Sequence, residues 1–291
     1  MDGAVAALDA LPTVVARSGT SIVLSSRPKL VTPGYLKPMP IAITRGPSRR
    51  LPECELSFLE RQPIDVERAR LQHRAYQDAI RAAGLHVVDL PALNDLPDSS
   101  FVEDTAIVLD ELAVIAPMGA ESRRPESAAM AGALASYRPV TRLSAPATLD
   151  GGDVLRVGKT LYVGQTPRTN AASVDQLCAR LAPLGYQVVP VPVTKCLHLK
   201  SACARLDDDT VLINPDWIDP ATFGDARIVT VADEEPWGAN ALSLGDRVIF
   251  PASEPKTRAL VEQLGFATTA VDVSEFQKAE AGVTCLSLIL R

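Results

Sequence analysis

One pattern occurs four times along this chain, and a sequence that repeats itself at a near-constant step folds as adjoining copies of one structural unit. The copies are FVEDTAIVLDELAVIAPMGAESRR from Phe101, LDGGDVLRVGKTLYVGQTPRTN from Leu149, HLKSACARLDDDTVLINPDWID from His198 and GANALSLGDRVIFPASEPKTR from Gly238, with starts 48, 49 and 40 residues apart. Each reads as a strand, a tight polar turn and an apolar second strand that runs into a Gly/Pro loop. After the loop comes a helical pattern such as ASVDQLCARLAPLG or KTRALVEQLG, closed by Gly and followed by a short β-branched strand such as YQVVPVPV or ATTAVDV. The unit is ββαβ.

A fifth unit is divided between the two ends of the chain. The tail GVTCLSLILR, residues 282–291, supplies only a first strand, 44 residues after Gly238. The missing half lies near the other terminus: IAITRGPSRR reads as a second strand and loop, IDVERARLQHRAYQDAIRAAG as the helix and LHVVDLP as the third strand. A last repeat completed by the first strand implies a closed ring, which removes the sheet edges that would otherwise stand open. Regular patterning begins only at Met39. Residues 1–38, Pro/Ser/Thr/Gly-rich from Ser18 to Pro38, are expected to be a poorly ordered N-terminal extension, with residues 39–291 forming one catalytic domain. Asp2 stands where a signal peptide would be basic, and no long apolar h-region follows it, so no secretory signal is expected.

Composition narrows the partners. A net charge of -6 with no run of five like charges argues against nucleic acid or a membrane surface, and no stretch of eighteen apolar residues reads as a span. A small cationic substrate suits the acidic balance better. The five cysteines (Cys54, Cys178, Cys196, Cys203, Cys285) form no CxxC pair, so the expectation is a reduced, cytoplasmic protein. Cys196 and Cys203 flank His198, but a metal site there lacks a third ligand of known geometry.

In a closed ring, equivalent positions of the first strands face one axis. Those positions hold Glu103 and Asp104, Asp150 and Asp153, His198 and Lys200, Asn240, and Cys285. Singly each has a structural explanation: turn or cap acids, the polar edge of a Gly-Gly turn, a satisfied core histidine, a small buried cysteine. Together they converge acid, acid, histidine and thiol on one centre.

The motifs FVED, LDGGD, HLKS, SRR, RTN and the terminal GVTC resemble the guanidine-modifying enzymes of the pentein superfamily, and within it the dimethylarginine dimethylaminohydrolases, over roughly residues 40 to 291. The resemblance implies an α/β fold, a five-bladed α/β propeller, and hydrolysis of methylated arginine to citrulline through a covalent thiouronium, without cofactor or metal. It implies Cys285 as nucleophile, His198 as acid and base, and Asp150 as the acid that orients the histidine. Asp98, Glu103 and Asp104 match the carboxylates that grip the guanidinium, and Arg123 and Arg168 the arginines that hold the substrate α-carboxylate, each with a solvated surface arginine as its plain alternative. Leu56 and Ala279 match pocket-lining positions, while Asp153 reads as structural. Arginine deiminases carry an aspartate where this chain has Lys200, which favours a methylated substrate; deiminase or dihydrolase chemistry on arginine is the alternative. The pentein-fold ribosomal anti-association factor, a binding protein of another class, has no Cys/His/acid set. The partner expected is a small guanidino substrate, with room for a homodimer.

Overall fold

The middle strand of each repeat carries an apolar run, such as Ala113–Ile115, residues 211–213 and residues 248–250, as a strand covered on both faces must. The computed structural model describes residues 39–291; the extension expected at residues 1–38 lies outside them. Strands β1 (Ile41–Arg45) and β2 (His86–Leu90) run parallel, joined through helix α1 (Val66–Ala82). Next come β3 (Ala106–Val108), β4 (Ala113–Ile115) and β5 (Val140–Arg142), with helix α2 (Arg124–Leu134) between the last two. Then follow β6 (Val154–Val157), β7 (Thr160–Gln165) and β8 (Gln187–Pro192), with helix α3 (Ala171–Leu181). A one-turn helix α4 (Leu199–Ala202) leads into β9 (Cys203–Arg205), β10 (Thr210–Ile213) and β11 (Arg227–Thr230). The last full sheet holds β12 (Leu242–Ser243), β13 (Arg247–Pro251) and β14 (Ala267–Val271), with helix α5 (Pro255–Gln263), and a short helix α6 (Ser274–Gln277) follows it.

In these four sheets the first strand is antiparallel to the second and the second parallel to the third, as in Ile107↔Val114 and Val114↔Thr141. The final strand β15 (Leu288–Leu290) pairs antiparallel with β1, in the register Ile41↔Leu290, Ala42↔Ile289 and Ile43↔Leu288. Five three-stranded sheets result, and the split repeat is whole. This is the five-bladed α/β propeller expected of the repeats.

Alternation along each middle strand feeds two cores. In β4, Val114 enters the cluster shared with Leu161 and Leu177, while Ala113 and Ile115 enter the one shared with Ile43, Leu134 and Leu288. In β10, Val211 and Ile213 face one cluster and Leu212 the next. There are five such clusters among the described residues, one at each junction of neighbouring sheets, and β1 contributes Ala42 to one and Ile43 to another. The five first strands line an axial cavity of about 390 Å³ that ends at Glu103, Lys200 and Thr284.

Two details differ from the sequence reading. The second-to-third connection of the His198 repeat holds no α-helix, only the 3-10 turn Pro220–Phe223, in which Asp219 accepts from the Ala221 amide. Its segment is the short one, with a 40-residue step, and it is punctuated by Pro215, Pro220 and Gly224. The axis residues also do not lie in the first strands themselves. They sit in single helical turns just ahead of them: Val102–Thr105, Gly151–Asp153 and α4. No helix among the described residues is long and apolar enough to cross a membrane.

Removing Leu286 to Arg291 deletes β15 and three buried leucines, Leu286, Leu288 and Leu290. Losing such side chains costs about 2 to 5 kcal/mol each, against a total stability of about 5 to 15 kcal/mol. The shortened protein is expected to lose its cooperative thermal transition in calorimetry; a transition within a few degrees of full length contradicts ring closure.

Candidate active site

Turns from four repeats meet at the end of the axial cavity. Asp150 stands where the chain enters the Gly151–Asp153 turn, with its Oδ1 accepting from the Gly119 amide at 3.0 Å and its Oδ2 3.2 Å from His198 Nε2. The other ring nitrogen, Nδ1, lies 3.8 Å from Asp104 Oδ1, which also accepts from the Gly152 amide at 3.0 Å. A Cβ at Gly152 would come within 2.7 Å of both Asp104 Oδ1 and His198 Nδ1, so only glycine lets these three turns meet. Asp153 makes no hydrogen bond to the imidazole, its oxygens being taken by Thr166, Thr169 and the Leu199 amide in a staple between two repeats, though its charge still reaches the ring.

Cys285 is partly exposed, in the turn before β15. The Gly282 amide approaches its Sγ at 3.4 Å, and its carbonyl accepts from the Glu103 amide at 3.2 Å. Tyr76 on α1 anchors the same turn, donating to the Val283 carbonyl at 2.7 Å and sitting 2.8 Å from Ser287 Oγ. Each oxygen of the neighbouring glutamate has one partner and can accept another: Lys200 Nζ donates to Glu103 Oε1 at 2.6 Å and Thr284 Oγ1 to Oε2 at 2.8 Å, while Asn240 ties Thr284 to the Lys200 carbonyl.

The protonation states follow from these neighbours. Burial works against a charged imidazole, but the Asp104 charge, the Asp150 hydrogen bond and the Asp153 charge outweigh it and lift His198 to about 9. At neutral pH it is an imidazolium. Burial, then the charges of Glu103 and Asp104, push the Cys285 thiol up to about 12, so at neutral pH it keeps its proton until a cation arrives. Burial favours the protonated form of Asp104, yet His198 and Arg123 hold its carboxyl below the ordinary range.

The other candidate residues surround this centre. Asp98 is buried, accepts from the Glu55 amide at 3.2 Å, and is raised by burial against the opposing charge of Arg123. Leu56 and Ala279 pack in the same apolar cluster as Cys285. Neither arginine is a solvated surface residue. Arg123 is buried and bonded to Asp104 at 2.8 Å, Glu126 at 2.9 Å and the carbonyls of Phe101 and Asp98 at 3.2 and 3.4 Å. Arg168 is freer, with NH1 4.0 Å from Asp150 Oδ2 and NH2 3.5 Å from Ser57 Oγ. A cavity of about 370 Å³ opens beside Cys285 between Leu59, Gln62, Ser201, Trp237, Asn240 and Gly282.

Asp104, Asp150 and His198 each offer one ligand atom within 4.8 Å of the others, a set able to hold a cation. Their carboxylates are already bonded to Arg123 and to the Gly119 and Gly152 amides, so the cluster reads as an ion-pair network around the imidazolium. Cys196 and Cys203 do not complete a metal site with His198, since their thiols point to the carbonyls of His198 and Leu199 at 3.2 and 3.4 Å.

The family described as N,N-dimethylarginine dimethylhydrolase, eukaryotic, matches residues 55–230. The N(G),N(G)-dimethylarginine dimethylaminohydrolase of Streptomyces coelicolor is 45% identical over 253 residues, 86% of this chain and 96% of that protein. The chain belongs to the dimethylarginine dimethylaminohydrolase family. The Pseudomonas aeruginosa member, solved as a cysteine-to-serine mutant with citrulline, superposes with a TM-score of 0.83 at 34% identity, over 87% of this chain and 99% of the other. A histidine-to-glycine variant of a dimethylarginine dimethylaminohydrolase, in an adduct with S-methyl-L-thiocitrulline, gives the same score and identity over 87% of this chain and 100% of the other.

Two residues that brace this centre, Glu126 and Tyr76, went unread in the sequence, and Asn240 was read only as an axis position. Glu126 lies three residues after Arg123, in the first turn of α2, a spacing that marks an ion pair. Asn240 occupies the axis position of its repeat, and its amide spacing is what seats Thr284. Tyr76 carried no signal beyond an apolar face of α1.

The imidazolium is the most testable of these assignments. In an imidazole NMR titration, His198 is expected to titrate near 9, and Asp150→Asn to bring it down toward 6.5. Because the folded value is the higher one, the stabilisation it brings is fully present below about pH 6.5 and lost as pH rises through about 9. An unshifted titration near 6.5 in the unaltered protein overturns the assignment.

Proposed function

We propose that the protein hydrolyses Nω,Nω-dimethyl-L-arginine, and Nω-monomethyl-L-arginine, to L-citrulline and dimethylamine or methylamine through a covalent thiouronium on Cys285. The observation that carries this reading is that one thiol and one imidazolium share the field of Asp104 inside a set of buried carboxylates. A centre lined by carboxylates favours a bound cation, and a planar guanidinium is one. The dimethylarginine dimethylaminohydrolase activity named for the Streptomyces relative and the citrulline held by the Pseudomonas one support the same substrate class.

The proposed steps use this chain's own groups. The guanidinium settles against Asp98, Glu103 and Asp104, and its charge offsets the carboxylates that hold the Cys285 proton on, so the proton leaves to water. The thiolate attacks the guanidinium carbon and forms a tetrahedral adduct. His198 passes its proton to the alkylated nitrogen, the C–N bond breaks, and neutral amine departs, leaving the thiouronium. The now neutral imidazole takes a proton from water, hydroxide adds to the same carbon, and the C–S bond breaks as the new hydroxyl gives its proton to the departing sulfur, releasing citrulline and the Cys285 thiol. Asp150 keeps the ring oriented throughout. Arg168, whose donors are largely free, is proposed to take the substrate α-carboxylate; Arg123 reaches it only by exchanging one of its present partners, and its standing part is to fix Asp104. Leu56 and Ala279 are proposed to line the pocket.

Lys200 is proposed to select the methylated substrate. It occupies Glu103 with an ammonium, at the place where an arginine-specific enzyme needs another carboxylate to accept from a free NH₂. A reduced, cytoplasmic setting fits a reaction that needs Cys285 as a free thiol. A homodimer is compatible with the proposal, since every proposed catalytic group comes from one chain.

Citrulline formation from asymmetric dimethylarginine, measured colorimetrically beside arginine, is expected to favour the methylated substrate by at least about tenfold in kcat/KM. A preference for arginine points instead to deiminase-type chemistry and overturns the assignment. Cys285→Ser is expected to reduce turnover by at least about a thousandfold with an unchanged melting temperature, because a hydroxyl of nearly equal size is a far weaker nucleophile. Near-normal citrulline production by that variant removes Cys285 from the mechanism.

A further inference from the structure

The segment from Glu55 to Pro63 crosses from the turn Leu51–Glu53 to α1 and borders the cavity beside Cys285 with Leu59 and Gln62. Burial does not hold it in place. Residues 57 to 63 are exposed, and Phe58 shows 47% of its surface to solvent. Its ends are tied by the Glu55 amide to Asp98 and by Arg61 to the Pro52 and Cys54 carbonyls, and its middle by one side chain distant in sequence: the Glu280 carboxylate accepts from three consecutive main-chain amides, Ser57 at 3.0 Å, Phe58 and Leu59. Successive amides converging on one anion form a concave nest, and hydrogen bonds to an ionised acceptor are the strong kind. Lys278 adds a bond to the Pro63 carbonyl at 3.0 Å from the same turn.

Glu280 is also the single non-glycine residue with a positive φ among the described residues, at 57°. A glutamate in the left-handed region is disfavoured where glycine is not, so the side chain has to compensate for its backbone. The turn that strains it is the one that reaches the thiol. Ala279 precedes Glu280, and Gly282, whose amide approaches Cys285 Sγ, follows two residues later.

We infer that Glu280 is a positioning residue, a latch that holds the Glu55–Gln62 loop over the mouth of the site and thereby sets how tightly substrate is retained. It touches no reacting atom. Through the loop it fixes Leu56 and the Glu55 amide on Asp98, which lie on the proposed substrate side. The effect on substrate rests on the proposed hydrolase reading; the latch itself does not.

The test compares full-length protein with Glu280→Gly and Glu280→Gln. Glycine removes the carboxylate while relieving the left-handed backbone, so its melting temperature is expected to be equal or higher. Without substrate, chymotryptic cleavage after Phe58 is expected to be about tenfold faster in Glu280→Gly, since the loop opens locally while the fold persists. With dimethylarginine, KM is expected to rise about tenfold with kcat within about threefold, the split that loss of ground-state retention produces. Glu280→Gln keeps an acceptor but not the charge, and is expected to fall between the two. Unchanged cleavage and unchanged KM in a folded Glu280→Gly overturn the latch. A fall in kcat alone, with the loop still protected, also overturns it and assigns Glu280 to the Cys285 turn. Faster cleavage in a protein whose unaltered form makes no citrulline leaves the latch standing and removes the hydrolase reading instead.

Discussion

Three backbone pairs, Ile41↔Leu290, Ala42↔Ile289 and Ile43↔Leu288, decide whether this chain is a ring or a strip. In a strip the two terminal sheets would each lack a partner for one face of the middle strand. The clusters holding Ala42 and Ile43 would then open together, because both lie on β1. The pairing also aims the thiol. Cys285 precedes β15 by three residues, and its turn is held by Tyr76 from the N-terminal half of the same repeat. The Glu103 amide on the Cys285 carbonyl adds a tie to the next repeat. The placement of Cys285 and ring closure are therefore one structural event.

Charge at the axis obeys a similar economy. Buried carboxylates are tolerated only when paired, and each one here has a dedicated partner: Glu103 has Lys200 and Thr284, Asp104 has Arg123, and Asp150 has His198 and the Gly119 amide. Desolvation alone would neutralise both the histidine and the acids. It loses at His198 because three aspartates act on one ring, and it wins at Cys285 because the nearest charges are negative too. The same field thus keeps a proton on both the imidazole and the thiol. A cation restores the balance locally, so activation of the thiol can be coupled to occupancy.

Much of this was legible in the sequence because period and position carry information that single residues do not. The spacing of four copies and the unmatched strands at the two ends implied five sheets and their closure. Equivalence of position gathered Glu103, Asp104, Asp150, His198 and Cys285, which are far apart in sequence. Where the reading slipped, local chemistry was at work. FVED and LDGGD look extended, yet internal bonds such as Thr105 Oγ1 to the Val102 carbonyl and the Asp153 amide to the Asp150 carbonyl wind them into single turns. The missing helix before β11 was signalled by its 40-residue step and its prolines. Lateral partners such as Glu126, Thr284 and Glu280 were invisible for a different reason. Their roles arise from which elements lie side by side, and a repeat pattern does not specify that.

Placing the reactive groups on turns ahead of the first strands, instead of within them, has a mechanical consequence. A strand residue is fixed by its own sheet, whereas each of these turns is bonded to turns of neighbouring repeats: Asp104 to the Gly152 amide, Asp153 to the Leu199 amide, Asn240 to the Thr284 amide. The centre is therefore an assembly of inter-repeat contacts, with no single sheet able to hold it. Gly152 shows how little slack it has, since one added methyl group would strike both Asp104 and His198. Interiors packed this closely shift between discrete arrangements and deform little. The geometry between Asp104 and His198, 94 positions apart in sequence, thus depends on the packing of the apolar clusters between their sheets, as well as on the residues that touch them.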